Sequence, residues 1–259
     1  MDIARLYDTH IADHYDADSY GLLSGGRALA LQQLAARASQ LPSSSSPQIV
    51  DLALGTGSSL LGAHALLPGA RLHGIDISAR MIDVAKGRLA GVHAILDDAK
   101  NVGRHFEPGS VDVVLMHFLT TYIDGRQVVQ DAARALRPGG VLSIASTTWA
   151  AFATFQSLLG HLVDASDLDT INPAPRSPDV VASFLTDAGL EVIERAEFTQ
   201  PITFSTFDEL HHFGLHSGFF THIIEAVSPE VIEMARQIDG IFPFEDTYKA
   251  AVLLARKPG

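Results

Sequence analysis

The stretch Ile49-Val50-Asp51-Leu52-Ala53-Leu54-Gly55-Thr56-Gly57 decides how the rest of the chain is read. A short apolar run ends in two closely spaced glycines, and helical periodicity begins immediately after them. The segment therefore reads as a buried strand turning tightly into a helix. Glycine suits that turn because a Cβ would block both its dihedrals and the close approach of a ligand, while the helix start offers unpaired N–H groups. By itself such a turn has low specificity.

Downstream, apolar runs at Ile49–Leu54, Arg71–Ile75, His93–Leu96, Val111–His117 and Val141–Thr147 alternate with helical periods at Ser59–Leu67, Ala79–Leu89 and Arg126–Leu136. This βαβ alternation predicts an α/β fold with a doubly wound, mostly parallel, Rossmann-like sheet. Leu136-Arg137-Pro138-Gly139-Gly140 reads as a helix stop and turn. Asp179–Ala188 predicts another helix, and Leu190–Phe198 and Tyr248–Ala255 predict the last strands. Upstream, Leu6–Tyr20 and Arg27–Ala38 read as two lead-in helices, joined to the sheet by a Ser- and Pro-rich junction. The expected division is a helical lead-in or lid at 1–41, a core at 47–147, cap insertions at 148–178 and 204–245, and the rest of the sheet at 179–203 and 246–259. Two helices are expected in the second cap segment.

The chain has 259 residues, 47% hydrophobic and 19% charged, which suits one core with a cap. A formal net charge of -12 with scattered Lys and Arg would repel nucleic-acid phosphates and anionic lipid heads. A small-molecule substrate is expected, with neither a nucleic-acid nor a membrane partner. The absence of cysteine removes disulfides, thiolate nucleophiles and Cys-ligated metals. With no signal-like start and no long apolar run, a cytoplasmic location is the expectation. Monomer and homodimer stay equally open.

Asp76, at the end of the second predicted strand, lies about 20 residues past the glycine turn, where an acid can grip a ribose diol. Asp97 and Asp98 follow the third strand, and Asp98, with Ala99 behind it, is the one placed to accept from an adenine amino group. Asp97 is expected to be solvated. NAD competes for such a site, but Ser58, Ser59 and Leu60 follow Gly57, so the third glycine of the dinucleotide fingerprint is missing. Successive acids also suit a sulfonium cation better than a pyrophosphate.

Val50 to Gly57, Asp76 to Met81, Asp98-Ala99 and Leu136 to Gly140 together resemble the class I S-adenosylmethionine (SAM)-dependent methyltransferases. The resemblance implies SAM as cofactor, with Gly55 and Gly57 lining its methionine moiety; Asp51 reads either as a water-linked contact to the cofactor's amino group or as a capping acid for the turn. The resemblance further implies Asp76 and Ile77 at the ribose, Met81 near adenine, Asp98 and Ala99 at the adenine amino edge, and Tyr15 closing over the methionine carboxylate. Where the family usually has glycine and then a small residue, this chain has Ala53 and Leu54. The added volume of Leu54 predicts a reshaped methionine pocket.

His117, after the fourth strand, faces the ligand side of an open sheet, where it would act as cofactor contact or base, or be a packed histidine. Tyr122 is a substrate-pocket candidate, as are His211, His212 and His216. The last two share a helical face at metal-ligand spacing, but no acid completes the set and no metal site is expected. The reading that results is a methyltransferase acting on a small molecule by direct transfer. One alternative is an enzyme that cyclises or cleaves SAM itself, releasing methylthioadenosine, and a second is a SAM-binding protein without catalysis.

Overall fold

The computed structural model describes residues 2–41, 46–159, 174–226, 228–237 and 240–259. Seven strands form one sheet: β1 (Gln48–Leu52), β2 (Arg71–Asp76), β3 (His93–Leu96), β4 (Val111–His117), β5 (Leu136–Thr147), β6 (Glu191–Phe204) and β7 (Phe244–Arg256), in the order β3-β2-β1-β4-β5-β7-β6. The pairs from β3 across to β5 are parallel, whereas β7 runs antiparallel to both β5 and β6. This is the Rossmann-like arrangement of class I methyltransferases. Successive residues of β1 point to opposite faces, and both faces are dry: Val50 and Leu52 join one core cluster, Ile49 the other.

The helices are α1 (Ile3–Leu6), α2 (Leu22–Arg37), α3 (Ser58–Leu66), α4 (Ala79–Arg88), α5 (Val102–His105), α6 (Gly125–Ala135), α7 (Ala153–Leu159), α8 (Pro178–Asp187), α9 (Phe207–His216), α10 (Thr221–Ala226) and α11 (Pro229–Arg236). Residues of α2, α3 and α4 cover one face of the sheet, and those of α5, α6 and α8 cover the other. The turn expected at 136–140 is an excursion within β5: pairing with β4 passes from Leu136 directly to Val141, and Gly139, at φ 79°, donates its N–H to Lys257 O.

The lead-in departs from expectation. Helix α1 passes into a wider π turn at Tyr7–Ile11, and residues 12–17 form turns, so the helix expected through Tyr20 stops near Ala12. Helix α2 starts five residues early because both Asp18 carboxylate oxygens accept from its first turn, at Leu22 N, Leu23 N and Ser24 N. Strands β6 and β7 pair from Glu191↔Arg256 out to Phe204↔Phe244, well beyond the lengths expected. Their aromatic ends carry the cap, where Phe152, Phe204, Phe213, Phe219, Phe220 and Tyr248 make an edge-on ring cluster. The second cap segment holds three described helices rather than two. Of the first segment, expected to cover the site, 160–173 lie outside the described residues, and the part before them contains α7.

Candidate functional site

Sheet order reverses direction between β1 and β4, and an open sheet leaves a crevice beyond its strand ends at such a point. A cavity of about 510 Å3 lies there, within the roughly 300–1,000 Å3 of cofactor sites. From the β1 loop come Ala53 and Gly55, from β2 Asp76 and Ile77, and from beyond β3 Asp98 and Ala99. His117, Phe118 and Tyr122 close it from β4, and Tyr7 and Tyr15 from the lead-in.

The loop after β1 is fixed from its neighbour. Ala53 N and Leu54 N both donate to Ile75 O, at 3.0 and 2.9 Å. Gly55 N donates to Asp76 Oδ2 at 2.7 Å, while Asp76 Oδ1 accepts from Ser78 N at 2.9 Å. With Ile77 as a third backbone donor, the carboxylate keeps acceptor capacity for the cavity that Asp76 lines. Burial raises the Asp76 pKa, against the lowering from its backbone donors Ser78, Gly55 and Ile77. A Cβ at Gly55 would enter the space facing the Tyr15 ring, meeting Cε1 at 3.8 Å.

Beneath the loop, Asp51 is 1% exposed and its Oδ2 has no hydrogen-bond partner among the described residues. Burial drives its pKa well above the usual carboxylate value, opposed first by the Arg27 guanidinium and then by a backbone hydrogen bond from Leu60. Arg27 is half-buried on α2, donates Nε–H to Ser59 Oγ at 3.2 Å, and acts electrostatically on Asp51, Tyr15 and His117 together. Sequence reasoning missed this residue. Its signal was the stripe Leu23, Arg27, Ala30, Leu34, in which a cation occupies a buried position of the 3.6-residue period.

The lead-in is clamped over the crevice by acids. Asp8 accepts from Ser78 Oγ at 2.5 Å, Asp13 from Arg80 at 2.5 Å, and Asp16 from Thr56 Oγ1 at 2.8 Å and Arg88 at 2.8 Å. These contacts hold three aromatic rings together: Tyr7 lies 6.2 Å from Tyr15 and 5.8 Å from Tyr122, centroid to centroid. Tyr122 donates its hydroxyl to Gly218 O, which ties this roof to the cap. Tyr7 was also missed by sequence reasoning, as were Phe118 and Lys100.

Several sequence-predicted residues sit elsewhere. Gly57 does not line the cavity: a Cβ there would stand 2.7 Å from Leu89 Cδ1, so the second glycine lets α3 start against α4. Met81 is fully buried beneath Leu6, Ile11 and Ala12, anchoring the lead-in. Asp97 is bound rather than solvated, accepting from Asn101 at 2.8 Å and pairing with His105 at 2.7 Å, which hold its carboxyl at about 2. Asp98 caps the next turn through Lys100 N and faces the crevice. Of the two readings of His117, the packed histidine is the one its surroundings favour: its ring nitrogens contact Ser59 Oγ at 2.9 Å and Ser143 Oγ at 3.0 Å, and burial pushes its pKa down to about 3. His117 thus ties α3 to β5 and stays neutral.

Leu54 does not reshape the pocket either. It is 3% exposed and packs where a Gly74 side chain would be, 2.7 Å from both of its methyl groups. Ala53 instead bears the cost of the missing glycine, adopting φ 68° at the cavity wall. His212 and His216 line a second cavity, and His211 stacks on Phe207. Among the described residues no group of three His, Asp or Glu has metal-binding geometry, and no helix is long and apolar enough to cross a membrane.

Comparison with known proteins agrees with this geometry. Residues 49–140 match the family model described as a methyltransferase domain. Over 139 residues the chain is 32% identical to tRNA 5-carboxymethoxyuridine methyltransferase of Escherichia coli (strain K12), covering 46% of this chain and 50% of that protein. It is 35% identical over 98 residues to demethylmenaquinone methyltransferase of Tropheryma whipplei (strain Twist), covering 38% and 40%. The chain thus spans half or less of the length of these two relatives. Geranyl diphosphate C-methyltransferase from Streptomyces coelicolor A3(2) superposes with a TM-score of 0.58 at 18% identity, over 100% of this chain and 97% of that one. Residues 49–140 are therefore similar to a methyltransferase domain, set within a chain that has the fold of the class I SAM-dependent methyltransferases.

Proposed function

We propose that this chain transfers a methyl group from SAM to a small molecule held beneath the helical cap to which α7, α9 and α10 belong. The observation that carries this reading is the acidic crevice at the switch point, where Gly55, Asp76 and Asp98 converge under Tyr7 and Tyr15. Its chemistry fits the cofactor: Asp76 offers lone pairs to a ribose diol, and Asp98 with Ala99 frames an amino edge. Behind the cavity wall, the buried Asp51 carboxyl and the Arg27 guanidinium act on each other electrostatically, and the oxygen of Asp51 without a partner suits a water-linked contact to the ammonium of the methionine end. A pyrophosphate would meet acids at each of these strand ends.

Bound SAM supplies a methyl group already activated by a positively charged sulfur. The chain's own part is alignment and water exclusion, achieved by the clamped lead-in and its tyrosines. Neutral His117 holds α3 against β5 and takes no proton. The two curated relatives named above act, by their names, on a tRNA nucleoside and on a quinone precursor; the net charge of -12 favours the small-molecule side. Consumption of SAM itself would be favoured by a methionine pocket that Leu54 reshaped, and the burial of Leu54 against Gly74 gives no such reshaping.

The test has two parts. Calorimetry should show SAM binding, weakened about tenfold or more by Asp76→Ala through loss of charge-assisted hydrogen bonds. Incubation with SAM and fractionated metabolites should release S-adenosylhomocysteine. Methylthioadenosine from SAM alone, methylation only in a tRNA fraction, or binding without turnover would each replace this reading with another.

A further inference from the structure

The second cavity, of about 270 Å3, shares Tyr15 with the cofactor crevice. Tyr20, Leu23, Phe213 and Phe219 give it an apolar wall. Opposite in character are three histidines from two elements: the ring of His14, on the lead-in, lies 4.3 Å from that of His216 and 5.8 Å from that of His212, and the α9 pair His212 and His216 are 4.5 Å apart. His216 Nδ1 lies 2.8 Å from His10 O, so Nδ1 carries the proton of the neutral ring and Nε2 is left over. Among the described residues, the rings of His14 and His212 have no hydrogen-bond partner.

Two carboxylates, Asp18 and Glu209, also line this cavity, and they and the nearby Glu225 are each already engaged. Asp18 caps α2, and Glu209 accepts from Tyr20 Oη at 2.5 Å and from Ser205 N at 2.7 Å. Glu225 accepts from Arg5 and pairs with His10. His211, the remaining neighbour on α9, stacks against Phe207. Three imidazoles therefore share a cavity mouth with no free carboxylate to pair with. Desolvation and the neighbouring His216, His14 and His211 lower the pKa of His212, so an anion seated against the three rings would offset a repulsion that nothing in the cavity now offsets.

We propose that this cavity is the acceptor pocket and takes a small organic acid, its carboxylate against His14, His212 and His216 and its apolar body against Leu23, Phe213 and Phe219. On a chain of net charge -12 an acid is repelled at long range, so its capture requires a local array of this kind. The inference rests on the methyl-transfer reading for the word acceptor, but not for the binding itself. Entry of the anion favours imidazolium, so binding is coupled to proton uptake.

The full chain, saturated with S-adenosylhomocysteine, is titrated with benzoate and with its neutral isostere benzamide, while the imidazole resonances are followed by NMR. Benzoate should shift the signals of His14, His212 and His216, raise their titration midpoints, and bind about tenfold more tightly near pH 6 than near pH 8. Benzamide should show no such pH dependence. The exposed-site variants His14→Asn and His212→Gln should flatten the benzoate response while leaving homocysteine-cofactor binding unchanged. Equal behaviour of benzoate and benzamide, or histidine signals indifferent to benzoate, would overturn the proposal. Failure of the SAM reading shows separately, as loss of cofactor binding in the wild-type chain whatever benzoate does.

Discussion

Asp51→Asn should make the unliganded protein more stable at neutral pH and bind SAM less tightly. Asp51 is 1% exposed; one oxygen accepts from Leu60 and the other has no hydrogen-bond partner among the described residues. Arg27 favours the ionised form, but burial outweighs it, so the net effect is a raised pKa. Asparagine keeps an oxygen for Leu60 and places an unpaired amide where an unpaired charged oxygen stood, which removes the larger desolvation cost. Leaving a buried polar group unmet costs about 1–3 kcal/mol in either residue, so the gain comes from the charge alone and should amount to about 1–2 kcal/mol. In a domain of this size that is a Tm rise of roughly 2–8 °C. The pH dependence has a definite sign. Because the folded pKa exceeds the unfolded one, the stability linked to protonated Asp51 is present in acid and is lost as pH rises from the ordinary carboxylate range through the folded pKa. The advantage of the asparagine variant should therefore grow from about pH 4 upward. Thermal unfolding of both proteins across this range, with SAM calorimetry beside it, is the assay. A variant less stable than wild type at pH 8, or an advantage constant with pH, would refute the argument.

Ala53→Gly should raise stability by up to about 1 kcal/mol, since relief of the left-handed backbone at φ 68° exceeds the extra entropy glycine gives the unfolded chain; denaturant unfolding reads it. Gly74→Ala should cost about 1–3 kcal/mol by driving a methyl to 2.7 Å from Leu54, and the double variant with Leu54→Ala should lose less than the two single losses added together. The His117 ring should show no titration by NMR between about pH 5 and 8, and its neutral burial should lower stability as pH falls from about 6.5 toward 3, the reverse of the Asp51 trend.

The strands β1 and β4 were legible because each is a short apolar run buried on both faces, which erases any alternation that could confuse the period, whereas β3, at the sheet edge with its ends exposed, was legible from its place in the βαβ alternation. Asp76 and the crevice residues of the β1 loop followed from position alone, since strand ends in such a sheet must converge. What the sequence concealed was set by partners far along the chain. The early start of α2 depends on Asp18 folding back onto three N–H groups. The fate of His117 depends on serines 58 residues before it and 26 after it. His14 and His216 are brought side by side by the docking of the lead-in on α9, a contact no local pattern encodes.

Leu54 and Gly74 make the same point about volume. Read along the chain, leucine in a glycine-turn loop looks like an obstruction of the ligand site. Register changes that: Asp51 pairs with Gly74 and Leu52 with Ile75, which sets the loop carrying Leu54 directly against β2. Its side chain then fills the space the absent Gly74 side chain leaves, within the cluster of Ile49, Leu60, Leu72 and Val113. Backbone hydrogen bonds from Ala53 and Leu54 to Ile75 O hold the two strands at that spacing, so the leucine cannot swing out without breaking them. The obstruction is thus absorbed into the core, and the residue that remains at the cavity wall, Ala53, is the one that takes the strained dihedral. Substitution in this loop should therefore divide cleanly, with position 54 acting on stability and position 53 acting on the shape of the crevice.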